Sequence, residues 1–201
     1  MSPRSKKTSL LMRARTREAI LAASLELFAK HGFSATTTEQ IARKAGISKG
    51  LIFTQFRRKQ DILLAIFERM IDKVMPSFLL QRDARPPKEK LQTLVTTWLK
   101  LIETEPLAVR LTLQLNLDDA YRRIVRSKKW KQYADDMTRQ LKSILKELGS
   151  NNPEFDTYLL MFLFDGIVAN YTVAPEMFPP IDTLAGYMVR MLTTRWDKAP
   201  T

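Results

Sequence analysis

Cysteine is absent from the 201-residue chain. Disulfides, thiolate nucleophiles, iron–sulfur clusters and cysteine-based zinc sites are therefore excluded. Histidine occurs once, as His31, so one chain cannot build a multi-histidine metal site or a histidine-rich pH sensor. With six Gly and ten Pro, collagen-like and Pro/Gly-rich low-complexity chains are also out. The longest apolar run, Tyr158 to Phe164, has seven residues, far below the ~20 that span a bilayer. The start, MSPRSKKTSLLMRARTR, is basic but has no apolar core of signal-peptide length before a small-residue cleavage site. These absences lead to the expectation of a soluble, cytoplasmic chain with no membrane partner, no metal and no cofactor.

Acidic residues are scarce at one end only. Residues 1–60 hold 13 Lys and Arg against three acids, Glu18, Glu26 and Glu39, a net of +10. Residues 61–201 hold 20 against 18, a net of +2. A positive lobe on a near-neutral body points to a polyanion partner for the first part alone. Apolar residues make up 45% of the chain, enough for a real core, in one large domain or two small ones.

No stretch shows sustained period-2 alternation, and helical periodicity runs almost throughout. Ile20, Ala23, Leu27 and Phe28 share one face of a helix over about 14–31, which ends at Gly32. Thr37 with Gln40 three residues on is a capping box, opening a short helix to Ala45 that Gly46 stops. Ser48 can cap another, from Lys49 to about Phe53. A longer helix starts near Lys59 and keeps its apolar stripe until the neighbourhood of Pro76, and Arg82 to Pro87 reads as a linker. Further helices are expected over Leu91–Leu101, Leu107–Leu117, Tyr121–Leu148, Asn152–Val173 and Ile181–Trp196, nine in all, with no sheet and no internal repeat.

Three short helices with a tight Gly turn between the second and third have the layout of a helix-turn-helix. Gly46 tolerates the positive φ of the turn, and Ala42 and Ala45 are small where the helices cross. The third helix has an apolar inner face of Ile47, Leu51, Ile52 and Phe56, and a polar outer face of Ser48, Lys49, Thr54 and Gln55.

These residues carry a resemblance. Thr16 to Ala23 followed by Leu27-Phe28-Ala29-Lys30-His31-Gly32-Phe33 resembles the first helix of the TetR family of bacterial transcription regulators. Ala35 to Gly50 is similar to that family's second helix, turn and start of recognition helix, and Phe56, Lys59, Asp61 and Leu63 match its fourth helix. The resemblance covers about residues 14–74. It implies that Thr38 offers its hydroxyl and amide to a phosphate, and that Ser48 and Lys49 begin the groove-facing helix. It further implies that Gly50 lets the backbone approach DNA, that Thr54 and Gln55 face the groove, and that Lys59 holds a phosphate. Phe53 stands where the family usually has Tyr, and it has no hydroxyl to donate. Gln55 stands where Tyr or His is usual, and Gln can bond a phosphate or pair with adenine. The basic tail, Arg4, Lys6, Lys7, Arg13 and Arg15, can either track the minor groove as an arm or add only nonspecific affinity.

The body beyond residue 80 is rich in aromatics and Met. Plain core accounts for most of them, and Trp98, Leu115, Met137, Phe162 and Asp165 are candidates for lining an effector pocket. Asp165 interrupts the most apolar helix and needs a partner: a ligand, Arg190, Asn170 or a dimer axis. Gly166, Ala169, Val173 and Met188 are candidates for a dimer interface, resembling the family's use of its last two helices. The basic run from Arg122 to Lys131 reads as a solvated surface. The expectation is an all-α chain: a helix-turn-helix DNA-binding domain over 14–74, with the motif at about 37–56, joined to an effector-binding and dimerisation domain over 80–198. Its partners would be a double-stranded DNA operator, a small apolar effector and a second copy of itself. A dimeric interaction protein without sequence-specific DNA binding is the alternative. An enzyme is not expected, because no nucleophile–base pair, metal cluster or Gly-rich phosphate loop is present.

Overall fold

A computed structural model describes the backbone of residues 3–78, 84–116 and 118–196, and the side chains of 8–73, 84–116 and 118–194. The described residues form ten α-helices and one 3-10 turn, with no strand among them. The helices are α1 Pro3–His31, α2 Thr38–Lys44, α3 Lys49–Gln55, α4 Lys59–Phe78, α5 Pro87–Thr104, α6 Pro106–Leu115, α7 Asp119–Val125, α8 Lys128–Glu147, α9 Pro153–Val173 and α10 Ile181–Trp196, with the 3-10 turn at Pro175–Met177. None is long and apolar enough to cross a membrane among the described residues.

Local chemistry sets most of these ends. Thr37 Oγ1 accepts from the Gln40 amide at 3.2 Å while Gln40 Oε1 accepts from the Thr37 amide at 2.8 Å, which closes the capping box of α2. Ser48 Oγ accepts from the Leu51 amide and starts α3. Asn152 Oδ1 accepts from the Phe155 amide and Pro153 takes the first helical position of α9.

Three boundaries differ from the periodicity. The single helix expected from Tyr121 to Leu148 is two, α7 and α8, which brings the count to ten. Asp118 Oδ1 accepts from the Ala120 amide at 2.7 Å, and Ser127 Oγ accepts from the Trp130 amide at 3.2 Å. Each cap starts a helix of its own, and Ser127 interrupts a run whose apolar stripe continues across it. Helix α1 begins at Pro3 rather than near residue 14, so Arg13 and Arg15 stand on a helix. The side chains of Arg4, Lys6 and Lys7 lie outside the described residues. Helix α4 continues two residues past Pro76.

The chain divides into two compact units, Met1–Met70 with Arg110–Arg126, and Ile71–Val109 with Ser127–Thr201. In the first, Ile20, Phe28, Ile41, Ile52, Phe56, Ile62, Leu63 and Phe67 are buried together with Leu111, Leu115 and Ile124 from the later segment. The Phe28 and Phe33 rings meet edge to face at 5.1 Å. In the second, α5 packs on α8, α9 and α10. Its core is Leu91, Leu94, Val95, Leu99, Leu141, Leu145, Leu160, Ala185, Val189 and Leu192. The rings of Trp98 and Phe164 stack at 4.2 Å and 17°.

Candidate nucleic-acid interface

The turn between α2 and α3 is built by the backbone. Ala45 caps α2, and Gly46 follows at φ 66°. The Ile47 amide donates to the Ala42 carbonyl at 3.0 Å and the Gly46 amide to the Arg43 carbonyl at 3.3 Å. That pair of bonds is a Schellman ending, which needs a left-handed residue where Gly46 stands. It fixes the angle at which α3 leaves α2. Ile52 and Phe56 anchor α3 in the first unit's core, and the Arg17 guanidinium lies 4.3 Å from the centre of the Phe56 ring.

The opposite side of α3 is open. Ser48, Lys49, Gly50, Phe53 and Thr54 are exposed and Gln55 is half-buried. A Cβ at Gly50 would meet nothing within 4 Å. Phe53 is 49% exposed, a large apolar group with no packing role in the protein's own core. Leu51 belongs to this surface too, although periodicity places it inward: it is 37% exposed, because the seven-residue helix buries only Ile52. The Thr54 hydroxyl donates to the Leu51 carbonyl at 2.8 Å. Thr38 is half-buried at the start of α2, its hydroxyl 3.3 Å from Glu39 Oε2.

Two charges at this surface are engaged in ways that no local pattern signals. Lys49 is ion-paired with Glu39 across the helix-turn-helix. The hydrogen bond from Lys49, helped by the backbone at the start of α2, holds the Glu39 carboxyl below the usual carboxylate range. Lys59 turns inward and donates to the carbonyls of Phe33, Ser34 and Thr36. Its ammonium is thus seated in the α1–α2 loop rather than standing free for a phosphate. The other two acids of the basic region are also paired, Glu26 with Lys44 at 2.6 Å and Glu18 with Arg69. These ion pairs leave the +10 of residues 1–60 as it stands, because that net already counts the three acids.

The residues expected to line a pocket fall in both units. Leu115 is buried in the first unit, while Trp98 and Met137 are buried in the second. Phe162 is 70% exposed on the side of α9 opposite to Phe164 and Leu160, so it cannot line an interior pocket. Asp165 is also exposed as a residue, yet partial burial pushes its carboxyl above the usual value. Of its two candidate protein partners, Asn170 donates to the Gly166 carbonyl at 2.7 Å, and the Arg190 guanidinium lies over the Tyr187 ring. The buried acid of α9 is instead Asp156, which accepts from the Ser150 hydroxyl at 2.5 Å.

Phe162 belongs to a different feature. Phe155, Tyr158, Phe162, Gly166, Ala169 and Val173 recur at three- and four-residue steps along one side of α9. All are exposed except Ala169, which is intermediate, and Val173 is 83% exposed. Met188, expected at an interface, is 7% exposed and faces the core of its own unit. Tyr187 and Met191 are exposed large apolar side chains of α10.

Residues 20–66 match the family profile described as bacterial regulatory proteins, tetR family. The chain is 40% identical over 79 residues to the HTH-type transcriptional regulator YerO of Bacillus subtilis (strain 168), a match covering 38% of this chain and 27% of that protein. It therefore spans about a quarter of this relative's length. Among solved structures, the fatty acid degradation regulator FadR from Bacillus halodurans superposes with a TM-score of 0.73 at 20% identity, covering 89% of this chain and 94% of that one. The transcriptional regulator FadR from Bacillus subtilis in complex with stearoyl-CoA superposes with a TM-score of 0.70 at 20% identity, covering 88% and 97%. These two likenesses establish a shared fold over nearly the whole chain. The capped, glycine-turned helix pair lies inside the matched segment, so residues 20–66 form a helix-turn-helix domain of the kind found in the tetR family of bacterial regulatory proteins.

Proposed function

We propose that the protein is a homodimeric DNA-binding transcriptional regulator, a repressor that leaves its operator when a small apolar ligand binds. The observation that carries the reading is the exposed face of α3. Ser48, Lys49, Gly50, Phe53, Thr54 and Gln55 stand out from a rigidly turned helix on a unit with a large excess of positive charge. An α-helix fits the major groove of B-DNA, and its outward residues reach base edges and phosphates. Thr38, at the amino end of α2, can offer its hydroxyl and amide to a phosphate. Phe53, without a hydroxyl, can contact a thymine methyl or sugar instead.

The apolar side of α9 supports a dimer. A stripe of exposed aromatics running past Gly166 and Ala169 suits a second copy packed helix to helix. The likeness in fold to a regulator holding stearoyl-CoA supports an apolar effector in the second unit, with Trp98 and Met137 as candidate contacts. Ligand would shift the population toward dimers whose α3 helices no longer match successive major grooves, ~34–36 Å apart. Such a regulator works beside bacterial DNA in the cytoplasm.

The test is the affinity of the purified protein for the duplex upstream of its own coding sequence, read across salt concentration. Several phosphate contacts imply a loss of orders of magnitude between ~50 and 200 mM salt. Affinity that stays flat over that range refutes the reading.

A further inference from the structure

Lys59 opens α4, and all of its hydrogen-bonding capacity is directed at one loop. Its ammonium donates to the carbonyls of Phe33 at 2.6 Å, Ser34 at 3.2 Å and Thr36 at 2.7 Å. An ammonium has three donors, so none is left for another partner. The same nitrogen stands 4.5 Å from the centre of the Phe33 ring. The three carbonyls belong to the turn that delivers the chain from α1 into α2. Thr36 is buried there, its hydroxyl donating to the Gly32 carbonyl at 2.8 Å. The next residue, Thr37, is the capping-box threonine that starts α2.

A negative charge faces this ammonium. The Ser34 hydroxyl lies 3.5 Å from Asp118 Oδ2, and the other oxygen of that carboxylate caps α7. Burial draws the Lys59 ammonium below the ordinary lysine value, and the charge of Asp118 opposes that shift. A half-buried cation therefore has carbonyl oxygens on one side and a carboxylate nearby, in place of the water it gave up.

We propose that Lys59 is a positioning residue rather than a phosphate contact: it clamps the α1–α2 loop, thereby fixing where α2 and the recognition helix begin, with Asp118 as its counter-charge. Its effect on DNA rests on the function proposed above, whereas the clamp is a property of the free protein and can be tested without DNA. Without the ammonium, three carbonyls of a tight turn lose a charged donor at once, and such bonds are the strong class. The capping box next to them is then free to open.

Two readouts separate the clamp from a phosphate contact. In the free protein, hydrogen exchange is followed at the amides of Thr37, Gln40 and Ile41, all three bound at the start of α2. In Lys59→Met these amides should exchange at least about tenfold faster, as expected when charged hydrogen bonds are lost. Binding to the duplex upstream of the protein's own coding sequence should weaken at every salt concentration, with the slope of log affinity against log salt unchanged. A phosphate contact predicts a slope shallower by ~0.9 per contact, ~1.8 for a dimer. Unchanged exchange, or a slope change of that size, overturns the proposal.

Should Lys59→Met fail to fold by circular dichroism, Lys59→Arg decides. A guanidinium keeps the charge a phosphate needs, but its planar fork cannot aim donors at three carbonyls that converge on one atom. Wild-type exchange and affinity in Lys59→Arg overturn the clamp, and faster exchange supports it. Asp118→Asn keeps a cap acceptor and removes one negative charge. Electrostatics alone predicts stronger DNA binding, whereas the clamp predicts faster exchange and weaker binding. Unchanged exchange with stronger binding refutes the role of Asp118. If the wild-type protein does not bind the duplex, the proposed function fails and the exchange experiment still decides the clamp.

Discussion

Replacing Gly166 by leucine separates the stability of one protomer from the stability of a dimer. Gly166 lies in the middle of α9, and a Cβ there would meet no heavy atom within 4 Å. Within one protomer a Cβ at this exposed position therefore meets no steric opposition. It also removes the helix penalty of glycine, about 0.8–1.0 kcal/mol relative to alanine, which leucine nearly matches. For a chain of this size that gain raises the unfolding midpoint by roughly 2–4 °C. The consequence for a dimer is opposite. The neighbours of Gly166 on the same side, Phe162 and Ala169 one turn away and Tyr158 and Val173 two turns away, form the exposed stripe. If two copies of α9 meet there, leucine holds them apart and strips water-excluded contact from aromatics on both copies. Each large apolar side chain left unburied forfeits about 1.5–3 kcal/mol, so loss of two or more weakens dimerisation by well over a hundredfold, at ~1.4 kcal/mol per tenfold.

The assay pairs sedimentation equilibrium over a range of protein concentrations with thermal unfolding of the monomeric fraction. The expected result is a shift of the dimer–monomer equilibrium to higher concentration with a monomer as stable as wild type or more so. A dimer of unchanged affinity places the interface elsewhere than on α9. A destabilised monomer refutes the premise that Gly166 faces open space. Gly166→Ala serves as a graded control, since one methyl gives most of the helix gain with little bulk.

Two further predictions concern Gln55 and Asp165. Gln55→Ala should relax discrimination at one base pair per half-site, costing ~1–3 kcal/mol on the preferred sequence and less on its variants; equal losses on every operator variant would make Gln55 a backbone contact. Burial holds the Asp165 carboxyl above its ordinary value of 3.8, so the folded state binds more protons than the unfolded state between that value and the raised one. Stability from this group therefore falls as pH rises through that window. Relative to wild type, Asp165→Asn should gain in unfolding midpoint as pH rises from about 4, the ordinary carboxylate range, and a difference between the two that does not vary with pH refutes the burial of the carboxyl.

What the sequence determined by itself lies in short-range chemistry. The capping box of Thr37 and Gln40, the cap at Ser48, the left-handed Gly46 and the Asn152-Pro153 start are all decided within four residues. Backbone donors at a helix end need partners nearby, so the residues that satisfy them announce the end. The all-helical class and the asymmetry of charge were legible for the same reason, since both are sums over local choices. The division of residues 119–147 into two helices was less so, because an apolar stripe can cross a cap and still read as continuous.

Only the tertiary structure decided which side of a helix is covered. Helix α9 is apolar on most sides, so periodicity could not say that Leu160 and Phe164 face inward while Phe162 and Val173 face out. The same is true of Met188 against Tyr187 and Met191 in α10. Pairings across long stretches of chain were equally out of reach: Lys59 with carbonyls 23 to 26 residues away, and Lys49 with Glu39 across the turn. A charged residue at a helix start reads as solvent-facing in any local pattern. Whether it meets a phosphate or a ring of carbonyls depends on which loop the fold brings over it, and that is set by the packing of α1 against α2 rather than by the residues beside Lys59.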